Sequence, residues 1–379
     1  MHLKSLRIRH FRNLGVQELE LPPEGLALVG DNAQGKSNFL ESIYYLETFR
    51  SFRGARDDQL LAFGEAVFRV EGLLEPDDSG RGDACNVAAA FQRSGRVKKV
   101  TIDGTEPPRL SEGIGRLGAV MFSPADVALV NEGPAERRRF LDIVLSLNQP
   151  GYLGELQRYR QVLAQRNAAL KDTRSMRLAE VWNETLVRAG AAVSHARACW
   201  IGRWAEAFAT YYAEVSGGRA ARIEYQPSID AQPSADVEAP GVEAWTEAFA
   251  RQLDAAGERE VRMGTTVVGP HRDEMRITLD GERELDVRDY GSGGQRRTAA
   301  LALRLVEAAT NREARGQEPV ILLDDVFAEL DEARSERILS LIEREETGQV
   351  ILTAPKDADV RIRRDVLPRW GISDGRIEA

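Results

Sequence analysis

Two cysteines and four histidines are all that this 379-residue chain offers to soft-metal or redox chemistry. Cys85 and Cys199 stand far apart, in no C-x-x-C pair and no Cys/His cluster, which excludes a zinc site and a disulfide framework and leaves two reduced thiols. The histidines show no metal spacing either. Long apolar runs are missing as well. No stretch approaches the ~20 uninterrupted apolar residues of a membrane span, yet 42% of the chain is hydrophobic, ample for a large core and more than one lobe. Met1 to Leu21 is charged and alternating, the pattern of neither a signal nor a transit peptide. Internal repeats and low-complexity tracts are also lacking. The expectation is a cytoplasmic protein with no membrane partner.

A net positive charge is lacking too. The formal net charge is −9, which at first argues against a nucleic-acid partner. The charge is unevenly spread, however. Arg137 to Arg177 holds nine Lys/Arg and three Asp/Glu, whereas Gln226 to Ala248 holds five Asp/Glu and no Lys or Arg. An acidic whole can therefore carry a basic face, against the plainer reading of a solvated helix surface.

What is present is a set of three motifs. Gly30, Asp31, Asn32, Ala33, Gln34, Gly35, Lys36 and Ser37 fit the phosphate-loop pattern G-x-x-x-x-G-K-[ST] at every specified position, with Asn38 next. Ser292, Gly293, Gly294 and Gln295 form a Ser-Gly-Gly-Gln signature. The apolar run Pro319 to Leu323 ends in Asp324-Asp325, and Glu329-Leu330-Asp331 follows. A phosphate loop alone says only "nucleotide". The three together say an ATPase of the ABC type, whose site is completed by a second copy.

The pattern along the chain fits that reading. Leu6 and Ile8 alternate with arginines as a half-exposed strand, Leu26 to Val29 is a short apolar strand before the loop, and Ser37 to Glu47 continues as a helix. Strands are expected at Ala66 to Leu73, Cys85 to Phe91 and Val97 to Ile102, the last two joined by a turn at Gly95. From Arg137 the pattern turns helical. Leu156, Tyr159, Leu163 and Leu170 share a face, and a second helical stretch covers Leu178 to Val215. Gly217-Gly218 ends it, and Pro227, Pro233 and Pro240 mark a loop. Strands return after Gly264, at Val267-Val268 and Met275 to Leu279. A helix over Thr298 to Thr310 follows, then the central strands Val320 to Leu323 and Val350 to Leu352. The expected plan is a nucleotide-binding head in two halves, residues 1–135 and 265–379, with a helical insertion over residues 136–264.

Each motif implies a role. Loop N–H groups from Asn32 to Ser37 would cradle the β-phosphate, Lys36 would reach the β- and γ-phosphates, and the Ser37 hydroxyl would ligate Mg²⁺. Asp324, a carboxylate ending a buried strand, would hold Mg²⁺ through water. Asp325 would position or deprotonate the attacking water, unless the pair merely caps a helix. Ser292 can cap the helix it precedes, and the glycines would offer N–H groups to an anion.

With these motifs the chain resembles the RecF family of bacterial recombination mediators, nearly end to end. The resemblance is carried by Leu6 to Asn13 (Leu-Arg-Ile-Arg-His-Phe-Arg-Asn), Gly30 to Ser37, Pro124 to Asp142, Gln165 to Leu170, Gly269 to Arg272 (Gly-Pro-His-Arg) and Leu323 to Asp331. It implies an α/β ABC-type P-loop ATPase head, a mixed sheet with flanking helices, interrupted by a mainly helical lobe like a short SMC/Rad50-type arm. It also implies ATP and Mg²⁺ as cofactors and an ATP-dependent homodimer clamped on double-stranded or gapped DNA. Its partners would be RecR, with RecO and RecA in the same pathway, in gap repair and the SOS response, and hydrolysis would be slow and DNA-stimulated. Asp331 would belong to the D-loop. Thr353 stands where ABC transporters carry a switch histidine and would sense the γ-phosphate by its hydroxyl. Arg53 and Gln59 lie in the region of the Q-loop, with neither assigned to it. For DNA the candidates are Arg137, Arg138, Arg139, Arg158, Arg160 and Arg166.

Three rival classes fit less well. A transporter motor, or another ABC-type ATPase acting on a protein partner without touching DNA, would share the motifs, but transporter motors place the signature closer to the phosphate loop. A long tether needs sustained heptads. A small-molecule kinase has no use for Ser292 to Gln295.

Overall fold

The computed structural model describes residues 1–76, 83–173, 176–231, 240–281, 284–326, 332–344, 348–360 and 366–379. Its contacts divide the chain into two compact units, Met1–Val127 with Glu214–Gly217 and Leu303–Ala379, and Ala128–Ala213 with Gly218–Ala302. The sequence pattern draws its boundaries at 135/136 and 264/265. The contact-defined units meet instead at 127/128 and, on the return, at 302/303 inside the helix Gly293–Arg315. The strand Glu274–Leu279 pairs antiparallel with Ala221–Gln226 along its whole length, which keeps residues 265–302 with the second unit.

The first unit is α/β, as the sequence indicates. Its six-stranded sheet runs Arg376–Glu378, Arg369–Ser373, Gly25–Val29, Val350–Ala354, Val320–Asp324 and Ala119–Phe122. All neighbours are parallel except the first pair, an edge hairpin. Val320–Asp324 and Val350–Ala354 are buried at every position, which is why they read as continuous apolar runs rather than alternating ones. A second, antiparallel sheet has the order Gln17–Glu20, His2–Arg9, Val67–Glu75, Cys85–Gln92 and Val97–Ile102. Leu3, Leu6 and Ile8 of its second strand are fully buried.

Helix Lys36–Thr48 packs against strands of both sheets and is buried on nearly every side. Burial all round leaves its two inner carboxylates dependent on partners. Glu41 takes the Arg12 guanidinium at 2.9 and 3.1 Å. Glu47 takes Arg315 at 3.1 Å and the Leu117 and Gly118 amides at 3.0 and 2.9 Å.

The second unit is mainly helical. Pro134–Asn148, Tyr152–Thr173, Asn183–Ser216, Val242–Ala255 and Gly257–Met263 accompany a small antiparallel sheet ordered Leu285–Asp286, Glu274–Leu279, Ala221–Gln226. Tyr159, Leu186, Trp245, Phe249 and Ile229 form its apolar core. The strand Ala221–Gln226 lies between the Gly217-Gly218 stop and the proline-marked loop, a stretch given no element in the sequence reading although its alternation of Ala221, Ile223 and Tyr225 is the ordinary strand signal. Val267-Val268, expected as a strand, lies in the turn region before Pro270–Arg272, with the Val267 amide donating to Glu260 at 2.8 Å. The expected helix over Leu178 to Val215 is two helices, Met176–Glu180 and Asn183–Ser216.

Candidate nucleotide site

Three parallel strands bring their carboxyl ends to one line. In register, Leu28 pairs with Thr353 and Thr353 with Asp324, so the loop after Val29 opens beside both side chains. Ligands of open α/β sheets lie at this edge. The Ser37 hydroxyl donates to Asp324 Oδ1 at 2.7 Å, and the Thr353 hydroxyl reaches the same oxygen at 3.1 Å. Serine, aspartate and threonine, drawn from positions 37, 324 and 353, thus meet on one carboxylate oxygen. An all-oxygen set of hydroxyl and carboxylate is the donor chemistry of Mg²⁺, which keeps several waters and takes few protein ligands.

The loop itself is shaped by its neighbours. Lys36 is buried, and its ammonium donates to the Gly30 and Asp31 carbonyls at 2.6 and 2.9 Å. Gly35 holds φ 115°, in the left-handed region, and a side chain there would meet Asn13 Oδ1 at 2.8 Å. Asp325, the next residue after Asp324, also has a left-handed φ of 49°, and its amide donates to the Thr353 hydroxyl at 3.1 Å. A non-glycine residue in that region is strained, and such strain gathers at functional sites.

Residues that the motifs do not include complete the surroundings. Phe11 is fully buried against Tyr45 and Phe68. Arg12, at φ 56°, is bidentate on Glu41, and Asn13 donates to the Gln34 carbonyl at 3.1 Å while accepting from Asn38 at 2.8 Å. Phe-Arg-Asn therefore pins the loop and its helix, a role its sequence position alone does not reveal. Arg53 donates to Asn38 Oδ1 at 3.1 Å, and its guanidinium stands 3.8 Å from Asp324 Oδ2. Gln59 instead accepts from the Arg56 amide at 2.9 Å and closes a short turn. Of the two residues near the Q-loop, Arg53 is the one that reaches the site. Asp331 lies outside the described residues.

Ser292 and Gln295, in the second unit, cap their helix reciprocally. The Gln295 amide donates to the Ser292 hydroxyl at 3.3 Å, and the Ser292 amide donates to Gln295 Oε1 at 2.7 Å. This is a capping box, and Ser292 and Gly293 remain exposed at the helix start.

The six arginines put forward for DNA separate by burial. Arg137 is buried, forks onto Glu274 at 2.8 and 2.8 Å, and gives its third nitrogen to the Leu129, Val130 and Glu132 carbonyls. Arg166 is fully enclosed with Glu260 at 2.7 Å, Asn183 at 2.8 Å and Thr266 at 2.7 Å. Neither offers an edge to a phosphate, a correction to the sequence expectation that follows from solvent access. Arg138 donates to the Asp273 carbonyl at 2.8 Å, and burial pushes its guanidinium pKa down. Arg139, Arg158 and Arg160 are exposed, each with one carboxylate nearby, Glu136, Glu155 and Asp142 respectively.

The Gly-Pro-His-Arg segment anchors the second unit from within. Arg197 joins Asp142 at 2.8 Å, Asp273 at 3.5 Å and the Pro270 carbonyl at 2.7 Å. His271 bonds the Tyr159 hydroxyl at 2.6 Å through Nδ1 and the Thr266 carbonyl at 3.0 Å through Nε2. A carbonyl only accepts, so Nε2 carries the proton and Nδ1 accepts. Burial lowers the His271 pKa from 6.5.

A family model described as the RecF/RecN/SMC N terminal domain matches residues 2–367. The DNA replication and repair protein RecF of Frankia alni is 38% identical over 370 residues, covering 95% of each chain. The RecF of Halalkalibacterium halodurans is 35% identical over 350 residues, covering 90% of each, and that of Agathobacter rectalis 33% over 383 residues, covering 100% and 99%. Among solved structures, the recombination mediator protein RecF with ATP, described in the RecFOR pathway, superposes with a TM-score of 0.87 at 31% identity, covering 100% of this chain and 97% of that one. An Smc head bound to the C-winged helix domain of ScpA reaches a TM-score of 0.55 at 18% identity, covering 100% and 96%, a likeness of fold.

Proposed function

This chain belongs to the RecF family of DNA replication and repair proteins, and on that footing we propose that it is an ATP-gated DNA clamp acting in the cytoplasm at single-strand/double-strand junctions. The observation that carries the reading is the meeting of Ser37, Asp324 and Thr353 on one oxygen beside the phosphate loop. In this reading Lys36 exchanges the Gly30 and Asp31 carbonyls for the β- and γ-phosphates of ATP. Ser37 and Asp324 hold Mg²⁺, which would neutralise phosphate charge when bound. Asp325 orients the attacking water, and Thr353 reports on the γ-phosphate.

Residues 292 to 295 contact the nucleotide of a second copy, so ATP joins two protomers. The exposed Arg139, Arg158 and Arg160, with Arg138 at their edge, face the duplex backbone. RecR and RecO act with the clamp to load RecA, and slow DNA-stimulated hydrolysis releases it.

The test is binding of a fluorescent gapped duplex with ATP, with ADP and without nucleotide, by wild type and Lys36→Ala. Tight binding by wild type with ATP alone is the expected result. Equal binding in all states would remove the gate. No binding in any state would favour an ABC-type ATPase acting on a protein partner.

A further inference from the structure

The phosphate loop is held from outside by a turn at the far end of the sequence. Arg369–Ser373 and Arg376–Glu378 form a hairpin whose paired ends are Ser373 and Arg376, leaving Asp374-Gly375 as a two-residue turn. Both turn residues have positive φ, 46° and 76°, the geometry of a type I′ turn, for which Asp-Gly is a preferred sequence. The turn is therefore stiff and pre-shaped, and both of its amides point at one residue of the loop. The Asp374 amide donates to Gln34 Oε1 at 2.6 Å, and the Gly375 amide donates to the Gln34 carbonyl at 3.0 Å. Asn13 donates to the same carbonyl at 3.1 Å.

The fit is close on every side. A side chain on Gly375 would meet the Asn13 carbonyl oxygen at 2.1 Å, and one on Gly30 would meet the Ile372 carbonyl oxygen at 2.5 Å. Gln17 secures the turn from behind, donating to the Gly375 carbonyl at 2.8 Å and accepting from the Ile377 amide at 2.8 Å.

A planar trans peptide points its C=O and the following N–H in opposite directions. Two donors that fix the Gln34 carbonyl outward thereby aim the Gly35 N–H inward, into the cradle. Gly35 is the glycine of the Gly-Lys-Ser step, where an N–H donor to a β-phosphate is needed. We infer that Gln34 and the Asp374-Gly375 turn are positioning residues for the nucleotide, setting affinity by fixing the Gln34–Gly35 peptide before ATP arrives. The inference rests on the ATP-binding reading given above. It also separates two neighbouring jobs. Lys36, Ser37 and Asp324 would touch phosphate or metal, whereas the Gln34 side chain and carbonyl and the turn act on the shape of the loop.

Nucleotide titration with fluorescent ATP and ADP, on wild type, Gln34→Met, Gly375→Ala, Gly371→Ala and Lys36→Ala, tests this. Gln34→Met keeps the side-chain length but loses the acceptor for Asp374, and it should weaken both nucleotides about fivefold, the size of one lost hydrogen bond. The KM for ATP should rise by the same factor with kcat at saturation unchanged, because the peptide acts on binding. The Gly35 amide resonance should shift in the nucleotide-free protein. Gly375→Ala should weaken binding at least as much. Gly371→Ala, in the same hairpin but with open space at its Cβ, should leave affinity as it is.

Wild-type affinity in Gln34→Met with an unmoved Gly35 resonance overturns the inference, while Lys36→Ala still losing ATP keeps the nucleotide site. Equal losses in Gly371→Ala and Gly375→Ala would also overturn it, by making hairpin stability the cause. Failure of wild type to bind nucleotide at all would sink both readings together.

Discussion

Arg137 and Arg158 are the same residue type on successive helices, Pro134–Asn148 and Tyr152–Thr173, and burial sets them apart. Arg137 sits among three carbonyls and one carboxylate, so its removal leaves buried acceptors unpaired and takes from Glu274 its bidentate partner. Arg137→Met should cost about 3 kcal/mol of unfolding free energy, toward the lower end for a broken buried pair because Glu274 keeps some solvent. A urea titration measures it, and DNA affinity of the folded protein should stay unchanged. Charge reversal at exposed Arg139 and Arg158 should do the converse, leaving the urea midpoint in place while duplex affinity falls and the salt slope drops by about two. If both pairs of measurements moved together, burial would not be the quantity that sorts these arginines. Charge alone made all six look alike in the sequence, since nothing in a run of arginines tells which ones a fold will enclose.

At the scale of elements, the Gly-Pro-His-Arg turn gives a pH signature. Burial is the main cause that holds the His271 pKa down, with Arg272 and Arg138 adding to it and the Thr266 carbonyl and Asp273 opposing them. Its folded pKa lies below 6.5, so the unfolded chain takes up a proton first as pH falls. Stability should therefore drop as pH falls through 6.5, and the loss should level off below the folded pKa. Above 6.5 the residue should contribute no slope. Melting temperatures of wild type and His271→Gln between pH 8 and 5 check this. The variant should show the shallower decline, and equal slopes would clear His271.

Element legibility followed the same physics. The strands Gly25–Val29, Val320–Asp324 and Val350–Ala354 and the helix Lys36–Thr48 were readable because fully buried runs and a fixed motif mark them. Ala119–Phe122 and the closing hairpin escaped, being short, and both join the central sheet through strands distant in sequence. The motif residues were legible by spacing, but Glu41, Asn13 and the Asp374-Gly375 turn act through contacts that no local pattern encodes.

For the whole molecule, the proposed clamp separates binding from hydrolysis. Lys36→Ala should lose ATP binding and ATP-dependent dimerisation together, whereas Asp325→Asn should keep ATP and accumulate as a dimer. Light scattering with and without ATP, beside a phosphate-release assay, distinguishes the two. Normal turnover in Asp325→Asn would take that residue out of the water-positioning role. One feature of the central sheet also bears on how the protein comes into being. The strand that feeds the phosphate loop, Gly25–Val29, lies between Val350–Ala354 and Arg369–Ser373. Both of its hydrogen-bonding edges thus wait for the last part of the chain to leave the ribosome, about 320 residues and roughly 15–65 s of synthesis later. Until then the strand lacks both of its sheet neighbours, and the Thr353 side of the site is missing. A nascent chain halted before Val350 would hold the entire phosphate-loop sequence without the strands that fix it, and it should capture ATP far more weakly than the full chain, so a truncated product would compete poorly for nucleotide.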